Sequence, residues 1–383
     1  MKILMVSMPS LHFYRWTEQL QDAGHQIYWF NITDSGEFVP RLQWVEQRFG
    51  WKLKWDYPGR IFFKSKFPKM YRWVQQFNEN DIAIAFEKYL LKVQPDVVHS
   101  FALYVACTPI YSVMKKYPEQ KWIYSSWGSD LFYFQQFKSY LNDIRKVLPR
   151  VNYMFSDCKR DFLIAKKYGF DGEFLGVFPG GGGYDVEGVQ SFQIPLEQRK
   201  TITIKGYQGR SGRAVQVLQA VLQLKDKLAH FQIVVFGADT EVIDYINQTD
   251  LKDWKNIQLL SRISQEQVLQ LFGKSLFYIG NSNSDGVPNT LLEAILAGAF
   301  PIQSNPGGVT EEILQHQKNG LLIEESNHIE HIKNVLLQAL GMVKSDFELA
   351  MHYNRNHIIP KLDFEYCKKE VLNQYLKVEN SST

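Results

Sequence analysis

Short apolar runs separated by amphipathic helical stretches recur along the chain, and this alternation limits most narrowly what it can fold into. In the first half the runs are "KILMVS", "QIYWF", "DVVHS", "KWIYSS", "VNYMFSD" and "GEFLGVF", with helices expected near Trp16 to Ala23 and from about Lys69 to Val93. Runs that are apolar at consecutive positions suit strands buried on both faces, the βα rhythm of a parallel sheet covered by helices. The rhythm restarts at "TITIKGY" and continues through "FQIVVFG", "NIQLL", "LFYIGNS", "AFPIQS" and "GLLI". Between the two series, "FPGGGGYDVEGVQSFQIP", Phe178 to Pro195, has the glycine and proline density of a hinge. The expected fold class is therefore α/β, with two Rossmann-like, doubly wound domains facing a central cleft at their strand ends, where such folds bind ligands. The expected boundaries are an N-terminal domain over 1–178, a Gly-rich linker over 179–198, a C-terminal domain over 199–360, and a closing helix over 361–383 that packs back on the N-terminal domain.

Length and composition agree with this layout. A chain of 383 residues is too long for one typical core, and 45% hydrophobic with 22% charged residues is ordinary globular composition. The formal charge of +3 is mild, so nucleic acid is not an expected partner. No apolar run approaches the roughly 20 residues that span a bilayer, and the opening "MKILMVSMPS" reads as a first strand without a cleavage pattern, so the expected location is cytoplasmic. Cys107, Cys158 and Cys367 are scattered and read as core thiols, with neither a disulfide framework nor a zinc site indicated.

The stretch with most chemistry is "SDGVPNTLLEAILAGAFPIQSNPGG", Ser284 to Gly308. Pro288 and Asn289 close a loop where a helix starts, because proline loses nothing at a first helical position and Asn-Thr can satisfy free backbone donors. The helix is expected from about Thr290 to Leu296, with Gly298 as its stop and "FPIQS" as the next strand. Open backbone N–H groups around Val287 to Thr290 suit a phosphate, and the carboxylates of Asp285 and Glu293 on either side can grip sugar hydroxyls. The combination points to a nucleotide-sugar.

With "DCKRDFLIAKKYGF", "GVFPGGGGYD" and "KGYQGRSGRAVQVLQA" in order before it, "SDGVPNTLLEAILAGAFPIQSNPGGVTEEI" resembles the Glu-Gly-x-Pro-x-x-x-x-Glu signature of family 4 glycosyltransferases of the GT-B fold. The resemblance is strong from about Val151 to Ile323 and weak before Asp96. It implies a retaining hexosyltransferase that takes a nucleotide-sugar donor in the C-terminal domain and a glycan or lipid-linked acceptor in the N-terminal one, in cell-surface polysaccharide or glycolipid synthesis. In such enzymes the leaving phosphate itself takes the acceptor's proton, so no enzymic nucleophile is required. No cofactor is implied, and the chain has no Asp-x-Asp, so no metal is expected either.

Residue by residue, the resemblance implies that Glu293 binds the ribose hydroxyls and Asp285, one methylene shorter than the family's glutamate, a hydroxyl of the donor sugar. The open alternatives are an exposed helical glutamate for Glu293 and an Asx-turn or cap for Asp285. Gly286 is expected to allow close backbone approach to the ligand, with Val287, Pro288, Asn289 and Thr290 completing the donor loop. A phosphate-binding Arg/Lys pair has no clean match: Lys205 holds one expected place and Ser211 the other, with Arg210 and Arg213 beside it. Lys205 and Arg210 are the candidate phosphate cations, against the alternative that the arginines only solvate a loop. Arg262, in "SRIS", is a candidate for the base pocket. On the acceptor side, Trp127 and Asp130 follow the strand Lys121 to Ser126, with Asp130 an alternative helix cap; His99 ends "DVVHS" and His12 follows the first strand. The expected catalytic set is Asp130, Asp285 and Lys205.

The segment Arg41 to Phe77 interleaves nine basic residues with Trp44, Trp51, Trp55, Phe62, Phe63, Phe67 and Trp73. Such a mixture suits an anionic membrane surface, here the inner face of the cytoplasmic membrane, though a helix pair with its aromatics in the core reads equally from the sequence. Two other functions fit the chain as a whole: a non-catalytic GT-B partner subunit, and a nucleotide-sugar epimerase of the same fold.

Overall fold

The computed structural model describes residues 1–381, which divide into two compact units. The first comprises Met1–Ser156, Phe162–Val177 and the chain from Glu370; the second comprises Asp157–Asp161 and Phe178–Lys369.

The first unit is built on seven parallel strands: β1 (Lys2–Ser7), β2 (Gln26–Asn31), β3 (Glu46–Arg48), β4 (Val97–Phe101), β5 (Lys121–Ser126), β6 (Tyr153–Ser156) and β7 (Glu173–Val177), in the order β3-β2-β1-β4-β5-β6-β7. Ile3, Leu4, Met5 and Val6 of β1 are wholly buried, as a central strand covered by helices on both faces requires. The first helix runs Leu11–Glu18, earlier than the expected Trp16 to Ala23. Ser10 starts it by accepting a hydrogen bond from the Phe13 N–H at 3.2 Å, and left-handed backbone at Asp22 and Gly24 carries the chain away after it. The stretch expected as one helix from Lys69 to Val93 is two, Pro68–Asn78 and Ile82–Val93. Glu79 is extended between them and Asp81 caps the second through the Ile84 N–H at 3.0 Å, a break set by polar caps rather than by apolar spacing.

The segment Arg41 to Phe77 is mixed in its burial. Trp51 is in the core, stacked on Phe30 with its indole N–H donating to the Asn31 carbonyl at 2.8 Å. Trp55, Phe67, Trp73 and Phe77 are exposed, as are Ile61 (78%) and Phe62 (63%) on the helix Arg60–Lys66.

The final helix, Phe364–Asn380, contributes its second half to the first unit. Tyr375 is wholly buried there, its hydroxyl 2.6 Å from His99 Nδ1 and accepting from Trp16 Nε1 at 3.2 Å.

The second unit carries six parallel strands, β8 (Thr201–Lys205), β11 (Gln232–Phe236), β12 (Ile257–Leu260), β13 (Ser275–Gly280), β14 (Phe300–Ser304) and β15 (Leu321–Ile323), ordered β12-β11-β8-β13-β14-β15. A small antiparallel hairpin, β9 (Gln208–Gly209) with β10 (Gly212–Arg213), follows β8. The stretch 179–198, expected as a linker, is part of this unit. It forms a helix, Val186–Gln190, capped by Asp185, and buries Tyr184 and Val189. Gly183 explains the local glycines: at φ +91° it lies against the Phe364 backbone, where a Cβ has no room.

His99 is wholly buried, and burial pushes its imidazole well below the ordinary histidine range, so the ring is neutral in the fold. The unfolded chain takes up that proton near pH 6.5, so this contribution to stability is present above about 6.5 and is lost as pH falls below it, at up to about 1.4 kcal/mol per pH unit. Urea unfolding at pH 7.5 and pH 5.0 is expected to show a smaller loss for His99→Gln than for the parent. Equal losses would contradict it.

Candidate active site

In the second sheet the strand order reverses between β8 and β13, the position where open α/β sheets bind ligands beyond the strand ends. Lys205 is the last residue of β8 and Asp285 lies in the loop after β13. The reversal sets their side chains 3.8 Å apart, Nζ to Oδ2, both largely buried. Lys205 also lies over the Tyr207 ring at 4.9 Å. The ammonium thus lies beside a carboxylate and an aromatic face, and its remaining donors suit phosphate oxygens.

The helix after the loop runs Asn289–Leu296, one residue earlier than expected, with Pro288 at the position before it and no side chain capping it there. Asp285 is not that cap: its Oδ1 accepts from the Gly286 N–H at 3.0 Å while Oδ2 faces Lys205. Gly286 is buried against the carboxylate of Asp157, where any Cβ collides. Thr290 is tied by its hydroxyl to Tyr278 Oη at 2.8 Å, and burial pushes the Tyr278 phenol far up, so it stays protonated. Val287 and Asn289 are half-buried in the same turn.

Glu293 is buried rather than the exposed helical glutamate of the alternative reading, and it accepts a hydrogen bond from Gln265 Nε2 at 2.5 Å. Gln265 opens the helix Gln265–Lys274, which a Ser264/Gln267 capping box starts directly after "SRIS". Arg262 is exposed at the end of β12. Arg210 is exposed between β9 and β10, its carbonyl accepting from the Asn283 N–H at 3.3 Å. Arg213 does more than solvate a loop: it donates to the Gly209 carbonyl and, through Nε, to Asn327 Oδ1 at 2.8 Å, closing the hairpin.

Beneath the loop lie Asp157, Cys158 and Asp161, whose ligand-type atoms fall within 4.8 Å of one another. Arg160 supplies the cation there, 2.9 Å from Asp161 Oδ1. Burial raises the Asp161 carboxyl above the usual range although Arg160 pulls it down. Sequence reasoning missed Gln265, Asp157 and Arg160. "DCKRD" marks a family-like segment, but nothing in local spacing ties it to a loop 125 positions later.

In the first unit, His12 and Trp127 come together. His12 lies in the first turn of the helix Leu11–Glu18 rather than in a loop, exposed, with its ring centroid 5.9 Å from that of Trp127 at the end of β5. His99 is not an acceptor-facing group. It is wholly buried, with Nδ1 at Tyr375 Oη and Nε2 2.8 Å from Ser125 Oγ. Asp130 is also buried: Oδ2 accepts from the Tyr124 hydroxyl at 2.5 Å and from the Leu103 N–H at 2.7 Å, so it anchors the turn after β4. Two buried donors therefore engage one oxygen of the carboxylate.

Residues 190–354 match the family model described as "Glycosyl transferases group 1". No curated protein matches the chain. Among solved structures the chain is similar to sucrose-phosphate synthase from Thermosynechococcus elongatus, with 13% identity, a TM-score of 0.71 and all of both chains covered. It is likewise similar to a glycosyltransferase from Rickettsia africae, with 16% identity, a TM-score of 0.68, and 100% of this chain and 99% of that one covered. Anabaena HepE in complex with UDP and glucose gives 12% identity and a TM-score of 0.67, over 98% of this chain and 100% of the other. The fold is GT-B and the chain is a glycosyltransferase; the stretch that matches the group 1 model lies in the second unit.

Gly286→Ala forces the donor loop away from Asp157 without emptying any core position. The melting temperature is expected to hold within a few degrees while turnover falls by about a hundredfold, the scale on which small misplacements act. Parent-level turnover would show that the loop tolerates displacement.

Proposed function

We propose that the protein is a retaining, metal-independent hexosyltransferase that moves a sugar from a nucleoside diphosphate to a glycan or lipid-linked acceptor. The observation that carries this reading is the Lys205–Asp285 pair beside the start of the helix Asn289–Leu296. Negative charge develops on the leaving diphosphate as the glycosidic bond breaks. The Lys205 ammonium and the N–H groups around Val287 to Thr290 stabilise it there, most strongly where water is excluded. Glu293, oriented by Gln265, accepts the ribose hydroxyls, and Asp285 holds a sugar hydroxyl on the other side. The leaving phosphate takes the acceptor's proton on the same face, so the side chains bind and orient. The complex of Anabaena HepE with UDP and glucose supports a donor of this class.

A panel of UDP-, GDP- and ADP-sugars, assayed for transfer and hydrolysis, tests the reading. One nucleotide is expected to be preferred, Glu293→Ala to abolish its turnover nearly completely, and chelator to leave activity intact. Absence of nucleotide binding by calorimetry would favour a non-catalytic subunit, epimerised product an epimerase, and inhibition reversed by magnesium would overturn the metal-free step.

The acceptor side of the proposal includes an anionic membrane surface. Among the described residues, Lys64, Lys66, Lys69 and Arg72 have no carboxylate partner, whereas Arg41, Arg60 and Lys52 pair with Glu18, Asp56 and Glu79. The four unpaired cations share the helices Arg60–Lys66 and Pro68–Asn78 with exposed Ile61, Phe62, Met70, Trp73 and Phe77, and the core takes few of these side chains. No helix among the described residues is long and apolar enough to cross a membrane. A surface of this composition rests its aromatics at headgroup level, each basic group adding on the order of 1 kcal/mol of salt-sensitive attraction. Sedimentation with phosphatidylserine vesicles is expected at low salt, weakened at high salt and lost when Lys64, Lys66, Lys69 and Arg72 become glutamate. No binding at low salt would remove the membrane from the proposal.

A further inference from the structure

We propose that Arg160 is a positioning residue for the transfer reaction: its buried guanidinium fixes the main chain of the donor loop, and through it the placement of Asp285 opposite Lys205. The inference rests on the donor-site reading above and extends it to a residue from the start of the helix Lys159–Lys167.

The loop from Asn281 to Pro288 contains neither helix nor strand, so its shape depends on side-chain anchors. On one side the Ser282 N–H donates to Ser304 Oγ at 2.8 Å and the Asn283 N–H to the Arg210 carbonyl. On the other, Arg160 Nη2 donates to the carbonyl of Asp285 itself at 2.8 Å. The same guanidinium donates through Nη1 to the Pro306 carbonyl at 2.7 Å, and through Nε and Nη2 to Asp161 Oδ1 at 3.0 and 2.9 Å. One planar group therefore sets the loop after β13 against the loop after β14. Its own position is fixed as well, because the Glu312 carboxylate accepts from the Lys159 and Arg160 N–H groups at 2.6 and 2.9 Å. Burial alone would lower the Arg160 pKa, but Asp161 raises it above the ordinary value and the cation persists.

A fork of fixed geometry is what this site uses. Lysine carries the same charge on a single ammonium, so it can keep the contact with Asp161 but cannot hold two carbonyls and a carboxylate in one plane. A guanidinium that only balanced the Asp161 charge would need neither carbonyl, and lysine would replace it without effect on the loop.

Arg160→Lys separates these cases. Hydrogen exchange read by mass spectrometry over Ser282 to Thr290 is expected to rise severalfold without ligand. Calorimetric affinity for UDP or GDP should stay within about threefold, while turnover of the matching nucleotide-sugar falls by about a hundredfold. Unchanged exchange in that peptide, or equal losses of nucleotide affinity and turnover, would overturn the proposal. Should Arg160→Lys fail to fold, Glu312→Gln, a change at an exposed side chain, frees the same helix start and is expected to move exchange and turnover in the same direction by smaller factors; parent-level values of both would overturn it. Lys205→Ala tells the two readings apart. If it leaves nucleotide binding intact, the donor site itself is misassigned. If it weakens binding while Arg160→Lys matches the parent, only the role of Arg160 falls.

Discussion

The Lys205–Asp285 contact depends on one constraint, the reversal of strand order between β8 and β13, and the remainder of the candidate site is arranged around it. Helices that leave the two strands run to opposite faces of the sheet, so the space beyond the strand ends is not filled by the chain itself. Into that space the sheet projects a cation at the end of one strand and an anion in the loop after the next. Because both side chains are largely buried, their attraction is less screened by salt than that of a surface pair. The attraction is also incomplete at 3.8 Å, which leaves the ammonium able to exchange its partner for a phosphate.

A site of this kind must bury polar groups, and the fold handles their desolvation by pairing them. Gln265 with Glu293 and Tyr278 with Thr290 each satisfy a buried donor or acceptor from another element of the second unit, and Arg160 with Asp161 does so within one helix. In the first unit the same rule produces a different result. His99, in the middle of β4, is held by Tyr375 and Ser125, and Asp130, in the turn after β5, accepts through Oδ2 from Tyr124 and the Leu103 N–H. Exposed His12 and half-buried Trp127 keep a ring pair there.

The helices Arg60–Lys66 and Pro68–Asn78 depart from the pattern of the other helices, whose apolar stripes face a sheet. Of the residues between Arg60 and Asn78, only Gln75 and Asn78 are buried. Aromatics in such number outside the core, among cations without acidic partners, mark a surface shaped by something other than packing.

What the sequence by itself determined is local in character. The rhythm of apolar runs located the strands of both sheets except β3, with Lys121–Ser126 matched to the residue. The spacing of Asp285, Pro288 and Glu293 located the loop after β13 and its helix, while Lys205 was singled out by the resemblance and stands at the end of β8. Burial on two faces and capping are properties of a few neighbouring residues, so a linear reading can find them. Tertiary structure decided which strand-end groups are spent: nothing in "DVVHS" or "WGSD" distinguishes a histidine or aspartate that meets a ligand from one that meets a tyrosine brought from another element. It also decided that Arg160 holds a loop 125 positions away and that "FPGGGGYDVEG" belongs to the second unit. A hydrogen bond between distant segments depends on sheet register and on donor–acceptor distance and angle, and those quantities exist only after the chain has folded.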